Sequence, residues 1–173
     1  MSSEPTPNQV ENMKKIGELI EGIGTAMLTS VDPDGSLHSR PMGTLKGDFN
    51  GTVWFFTKEH SPKVDEIGRE RQVNVAYVDT KGDRYVSLRG RGLVTQDKKK
   101  IEELWNPIYK AWFPKGIEDP EIALLRIDVD RADYWDPPSS TMVQLFGFAK
   151  SVLTGQEYRP GPGEQGRVDF LNR

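Results

Sequence analysis

Residues 25–63 read TAMLTSVDPDGSLHSRPMGTLKGDFNGTVWFFTKEHSPK. From Thr25 the hydrophobic pattern takes a period of two, and Asp32-Pro33-Asp34-Gly35 separates TAMLTSVD from SLHSRPMGTL, which predicts a β-hairpin. Asn50-Gly51 marks another turn ahead of TVWFFT, whose Trp54, Phe55 and Phe56 read as a buried strand with Thr57 at its exit. Ser61 is a good N-cap, Pro62 a good first helical residue, and Lys63 lies in the first turn. The stretch therefore brings two strand ends and a helix start toward one another, with Arg40, Thr57, Ser61 and Lys63 among them.

On the N-terminal side, Thr6-Pro7-Asn8-Gln9 reads as a capping box with proline at the first helical position. Val10, Met13, Ile16, Leu19, Ile20 and Ile23 follow at helical spacing, with Gly22 and Gly24 as the stop. Residues before Thr6 are expected to be disordered. On the C-terminal side, VNVAYVD (73–79) and RYVSLRGRGLVTQ (84–96) read as two strands hinged at Lys81-Gly82-Asp83. Asp97 can cap a helix with Ile101, Leu104, Trp105, Ile108 and Trp112 on one side, and Pro107 inside that pattern predicts a kink or break. ALLRIDVD (123–130) alternates Ala123, Leu125, Ile127 and Val129 against Arg126, Asp128 and Asp130. ADYW (132–135) reads as a last short strand, Met142 to Leu153 as an amphipathic helix ended by Gly155, and residues 156–173 as an irregular tail. No internal repeat or second domain is visible. The element order excludes a regular βαβ alternation and predicts a mostly β, α+β domain over residues 7–155: antiparallel strands closed into a small barrel with helices packed outside.

At 173 residues the chain is one domain able to bury a sizeable core. Its net charge of −3 and pI near 5.5 argue against a general nucleic-acid binder. The basic run Lys98-Lys99-Lys100 is followed by Glu102 and Glu103, the pattern of a solvated helix face. With no cysteines, disulfides, thiolate zinc sites, Fe–S clusters and cysteine nucleophiles are excluded. The N-terminus lacks a signal-peptide pattern, and no window approaches the ~18 apolar residues of a membrane span. A soluble cytoplasmic protein without nucleic-acid or membrane partners is expected.

The usual catalytic fingerprints are missing. Gly22-x-Gly24 and Gly90-x-Gly92 lack the third glycine and the strand–turn–helix context of a dinucleotide site, and no Walker A, Gly-x-Ser-x-Gly or His-Glu-x-x-His sequence occurs. His38 and His60 are not spaced as a metal pair, so no metal is expected and both read as ordinary surface or turn histidines. The positive signals are basic. Proline in Arg40-Pro41-Met42 cannot donate to a ladder, which makes that strand an edge or locally irregular and leaves nearby amides free to face a ligand; the bland account is an edge strand with an exposed arginine. Lys63 in a first helical turn opposes the macrodipole, and a bound anion would reverse that sign. A guanidinium and an ammonium at one helix start suit a doubly charged phosphate. Trp105, Trp112 and Phe113 are costly to expose; they serve either core packing or the cover of a ring or subunit interface.

Taken in order, SRPM, VWFFTKEHSPK, AWFPKGIEDPEIALLRIDVDRADYWD and the C-terminal helix resemble the FMN-binding split-barrel superfamily, pyridoxamine-phosphate-oxidase-like, and within it the general stress protein 26 group. The resemblance covers Val10 to Leu153. It implies a six-stranded antiparallel split β-barrel of Greek-key type and a homodimer with two flavin sites at its interface. It further implies that Arg40 and Lys63 hold the phosphate of FMN, that Thr57 and Ser61 hydrogen-bond beside it, and that Phe56 belongs to the cofactor site. The backbone from Arg40 through Pro41 to Met42 would run along the isoalloxazine, and Trp112 and Phe113 would close the site from the second subunit. FAD fits the same phosphate site. True pyridoxamine phosphate oxidases carry an Arg-x-His element near the C-terminus that GEQGRVDFLNR lacks, so that activity is not expected. What remains is a flavin-binding stress-type protein acting as a weak flavin-dependent oxidoreductase, with no catalytic side chain assigned. The alternatives are a non-enzymatic flavin store or sensor, or a split barrel using haem or a deazaflavin.

Overall fold

A computed structural model of the chain describes residues 6–136, 152 and 164–170. Helix α1 (Pro7–Ile20) opens with the expected capping box: Thr6 accepts from the Gln9 backbone, and the Gln9 side chain accepts from the Thr6 N–H. It buries Ile16 and Leu19. Strands β1 (Thr25–Val31) and β2 (Leu37–Gly43) form the hairpin, in register Thr25↔Gly43 to Val31↔Leu37. Then follow β3 (Thr52–Lys58), α2 (Pro62–Arg69), β4 (Gln72–Asp79), β5 (Arg84–Thr95), α3 (Lys98–Leu104), β6 (Ile122–Trp135) and β7 (Gln165–Asp169).

All pairings are antiparallel, in the order β2-β1-β4-β5-β6-β3, with β7 beside β6. The two end strands, β2 and β3, approach one another without pairing; the sheet is a split barrel. Edge position explains how Pro41 is tolerated in β2, since among the described residues that side of the strand has no ladder to supply. Alternation decides the faces. Ala26, Leu28, Val53, Phe55, Val73, Val75, Val86 and Leu88 fill the interior with Ile16 and Leu19 of α1. The opposite face of β3 and β6 carries a second cluster in which Trp54 and Phe56 pack with Trp105, Tyr109 and Phe113. Helix α2 seats on β5 through Ile67, whose Cγ2 lies 2.7 Å from where a Cβ on Gly92 would stand. Only glycine at position 92 lets the helix lie that close.

Several expectations change. Among the described residues there are seven strands rather than six, the seventh lying in the tail read as irregular. Val168 is buried there, and Arg131–Asp169 and Arg167–Asp133 ion pairs cross between β6 and β7; two such contacts on a five-residue strand leave little periodic signal in a Gly- and Pro-rich sequence. ADYW is not a separate strand but the end of β6, continuous past a register shift opposite Arg89 and Gly90. The helix after Asp97 breaks as Pro107 predicts: α3 stops at Leu104, and residues Pro107–Ala111 form a 3₁₀ turn. The tighter turn rotates Ile108 and Trp112 off the buried side, leaving them 66% and 61% exposed. The helix expected over Met142 to Leu153 lies outside the described residues apart from Val152, as does the N-terminal stretch before Thr6. Among the described residues no helix is long and apolar enough to cross a membrane.

Candidate functional site

At the gap between β2 and β3, helix α2 places two side chains of its first turns against the barrel. Thr57, at the exit of β3, is buried, and its Oγ1 lies 3.3 Å from Ser61 Oγ. Ser61 is the N-cap of α2, yet its hydroxyl caps no backbone N–H. It accepts instead from Lys63 Nζ at 3.3 Å. A hydroxyl usually spent on a helix end is thus turned toward an ammonium.

Arg40 is inward-facing on β2 and only 15% exposed at its side chain. Its Nη1 donates to Ser30 Oγ and its Nη2 to Glu66 Oε2, both at 2.6 Å, while Ser30 Oγ donates to the same Glu66 oxygen at 2.6 Å. Ser30 and Glu66 are both buried. Glu66 follows Lys63 by three positions, so one face of α2 carries both. Burial pushes the Glu66 carboxyl up, but the hydrogen bonds from Ser30 and Arg40 and the charges of Arg40 and His38 outweigh it and hold the group below the ordinary carboxylate range. Lys63 is driven the other way. Burial lowers it below the ordinary lysine value of 10.5, the Arg40 charge lowers it further, and Glu66 opposes both.

Among the described residues Lys63 has no carboxylate within ion-pairing distance, so the cluster holds a part-buried ammonium that feels the charge of a guanidinium, with one carboxylate already committed to the latter. Two cations kept close at the start of a helix, with two hydroxyls between strand exit and ammonium, form a receptor for an anion with several acceptor oxygens. That observation fits the phosphate of a flavin.

His38 sits on the outer side of Glu66, Nδ1 3.9 Å from Oε1 and 3.7 Å from Asp32 Oδ1. The three ligand atoms lie within 4.8 Å of one another, but Glu66 is already paired with Arg40, and the trio is a polar cluster continuous with the anion site. His60 pairs with Glu121 at 3.1 Å on the surface.

Of the residues picked out by sequence, Arg40, Thr57, Ser61 and Lys63 come together. Met42 is buried in the core, and Pro41 stands exposed opposite Met27. Phe56 and Phe113 do not join the cluster within one chain. Phe56 points to the face of β3 opposite Thr57, where it packs 4.7 Å from Tyr109 and 6.1 Å from Phe113 between ring centres. Phe113 is buried there, whereas Trp112 is open to solvent. Ser30 and Glu66 were missed. Their signal was present: Ser30 follows Ala26 and Leu28 at period two, a polar residue at an inward position, and Glu66 precedes Ile67 on a helix face that must touch the barrel.

The model of one protein family, pyridoxamine 5'-phosphate oxidase like, matches residues 11–159. The chain is 25% identical to protein bli-3 of Neurospora crassa over 141 residues, which span 76% of this chain and 68% of that one. The crystal structure of the general stress FMN/FAD binding protein from the phytopathogen Xanthomonas citri superposes with a TM-score of 0.65 at 34% identity, over 76% of this chain and 92% of that chain. General stress protein 26 from Bacillus anthracis gives a TM-score of 0.63 at 27% identity, over 72% and 93% of the respective chains.

Proposed function

The chain belongs to the pyridoxamine 5'-phosphate oxidase-like family, and from that premise we propose that it is a flavin-binding protein of the general stress type whose Arg40, Thr57, Ser61 and Lys63 hold the phosphate of FMN. The observation that carries this reading is Lys63: an ammonium desolvated beside a like charge is destabilised until an anion joins it. Similarity to a solved stress protein that binds FMN or FAD supports the same reading. A bound flavin supplies hydride or electron transfer itself. What this chain contributes is grip and orientation: Lys63 and Arg40 supply charge, and Thr57 and Ser61 supply hydroxyls. Oxidoreductase turnover is part of the proposal. A flavin store or sensor would keep the cofactor without steady-state consumption of NAD(P)H or oxygen.

The test is the visible spectrum of the purified protein, then titration of flavin-free protein with FMN and mass identification of any released cofactor, which also separates FMN from FAD. A colourless protein that takes up no added flavin ends the proposal.

Lys63 also fixes a pH dependence. In the free protein its proton is held less tightly than usual, and a bound phosphate restores that hold, so binding takes up a proton as pH rises through the lowered value. FMN affinity is therefore full below the depressed lysine value and falls as pH rises through it, starting below 10.5. Lys63→Arg keeps the charge at all these pH values and flattens the alkaline limb. An unchanged limb in that variant assigns the dependence to another group.

The assembly proposed here is a homodimer. The outward face of β1, β2 and β4 leaves Met27, Leu37 and Val78 exposed, with Met27 directly opposite both Pro41 and Ala76. A second copy on this face would cover them, and Trp112, unused by its own core, is free to reach a partner's site. Light scattering should return twice the 19.5 kDa chain mass; a monomeric mass at micromolar concentration removes the dimer from the reading.

A further inference from the structure

We propose that Glu66, assisted by Ser30, is the positioning residue of the anion site: Glu66 holds Nη2 and Ser30 holds Nη1 of the Arg40 guanidinium, in the orientation that receives a flavin phosphate. The proposal rests on the flavin reading above. An arginine on an edge strand has many rotamers to choose from, and ordering it on ligand arrival subtracts from affinity. Here that ordering is done in advance. Nη1 and Nη2 each donate at 2.6 Å, to Ser30 and to Glu66. The Ser30 hydroxyl is fixed in turn, because it accepts from Arg40 and must direct its own proton to Glu66.

Two of the five guanidinium N–H groups are used in this way. The other three, the Nε–H among them, have no partner among the described residues and are free for an anion. The geometry is that of a tether rather than a blockade.

The placement of Glu66 adds a second argument. Lys63 and Glu66 are three apart on α2, so the helix delivers one cation directly and aims the other through its carboxylate. Seating of α2 by the buried Ile67 against β5 sets both at once. The outer oxygen of Glu66 faces His38, which faces Asp32 in turn. A site selected only for attraction would carry no carboxylate here, since Glu66 repels an incoming phosphate. Its presence, fully engaged with Arg40, is accounted for by aim.

The experiment is a double-mutant cycle on the full chain, read as FMN affinity by flavin fluorescence, with a thermal melt of each variant. Glu66→Ala is expected to weaken FMN binding about 10-fold while Arg40 is present, in the range of coupling between residues of one hydrogen-bond network. Glu66→Gln keeps an acceptor for Nη2 and is expected to restore binding to within about 3-fold of the parent. In an Arg40→Ala background, Glu66→Ala should cost nothing or tighten binding, because only its repulsion remains. A purely structural role would cost the same in both backgrounds, and that result overturns the proposal. So does tighter binding by Glu66→Ala with Arg40 intact, which would make the carboxylate a competitor. Should Glu66→Ala fail to fold, Glu66→Gln and Ser30→Ala run the same cycle with coupling of about 3-fold. The flavin reading fails separately: FMN binding is then absent, or unaffected by Arg40→Ala, whereas failure of the tether leaves Arg40→Ala weakened and Glu66 uncoupled.

Discussion

Lys63→Ala is expected to weaken FMN binding by about 1.5–3 kcal/mol, and Arg40→Ala by a similar amount, the range for hydrogen bonds to charged groups. The two variants should part company in stability. Removing Lys63 takes away a desolvated ammonium that sits beside Arg40 in the first turn of α2, where the macrodipole also opposes it. The flavin-free variant should melt at or slightly above the parent. Removing Arg40 strands the buried Glu66 carboxylate with only Ser30 as a donor, a broken pair that costs about 3 kcal/mol. Its melting temperature should fall clearly. Titrations at a temperature where both variants are folded, with melts run in parallel, separate the contributions. Parent-like affinity in Lys63→Ala would remove the phosphate from this cluster, and an unshifted melt in Arg40→Ala would show that the Arg40–Glu66 pair adds nothing to the fold.

That contrast shows how far the sequence could be read. Spacing alone placed Thr57 at a strand exit and Ser61 and Lys63 at a helix start, because turn residues and the Ser-Pro pair fix those boundaries locally; Arg40, expected at a strand end, lies midway along β2. Local rules do not say what an inward arginine meets across the barrel. The answer depends on α2 folding back over β1, a contact between Ser30 and Glu66 separated by 36 residues. The aromatic run is a second case. Trp112 and Phe113 are adjacent, and helical spacing had put Trp112 on the packed side; the break after Leu104 and the 3₁₀ turn reversed this, burying Phe113 and exposing Trp112. A period of 3.6 cannot be extended through a proline that changes the period. The strand assignments fared better because alternation marks most strands; in β6 it changes phase at the bulge, the inward positions passing from Ile127 and Val129 to Ala132.

Gly90→Ala should be the most destabilising of the substitutions considered, at about 3 kcal/mol or more, the upper part of the range for overpacking against unyielding atoms. A Cβ at position 90 would stand 2.3 Å from the Asp128 carbonyl oxygen and 3.1 Å from Ile127 Cγ2. Neither can retreat, since Asp128 and Ile127 are paired on both sides, with β5 and with β3. Gly90 lies where the ladder shifts: Arg89 pairs Arg131 but Gly90 pairs Val129, which leaves Asp130 as the extra residue of a bulge. The bulge is satisfied, not idle. The Asp130 carbonyl accepts from the Phe170 N–H, and the Val129 N–H donates to the Gly51 carbonyl. Here β6 exchanges one neighbour for another, pairing β3 up to Asp128 and β7 from Arg131 onward. A side chain at 90 therefore strains the corner that closes β3 onto the barrel, and β3 carries Thr57 to the anion site. Gly43→Ala is the control: no atom lies within 4 Å of its built Cβ, and its effect should stay within about 0.5 kcal/mol. Denaturant midpoints measure both, and equal midpoints for the two variants would show that the corner at Gly90 can relax. FMN at about a hundredfold excess over its Kd should return about 2.7 kcal/mol to parent and Gly90→Ala alike. A smaller return in the variant would mean that strain at the β6 corner reaches the exit of β3, and with it the grip on the phosphate.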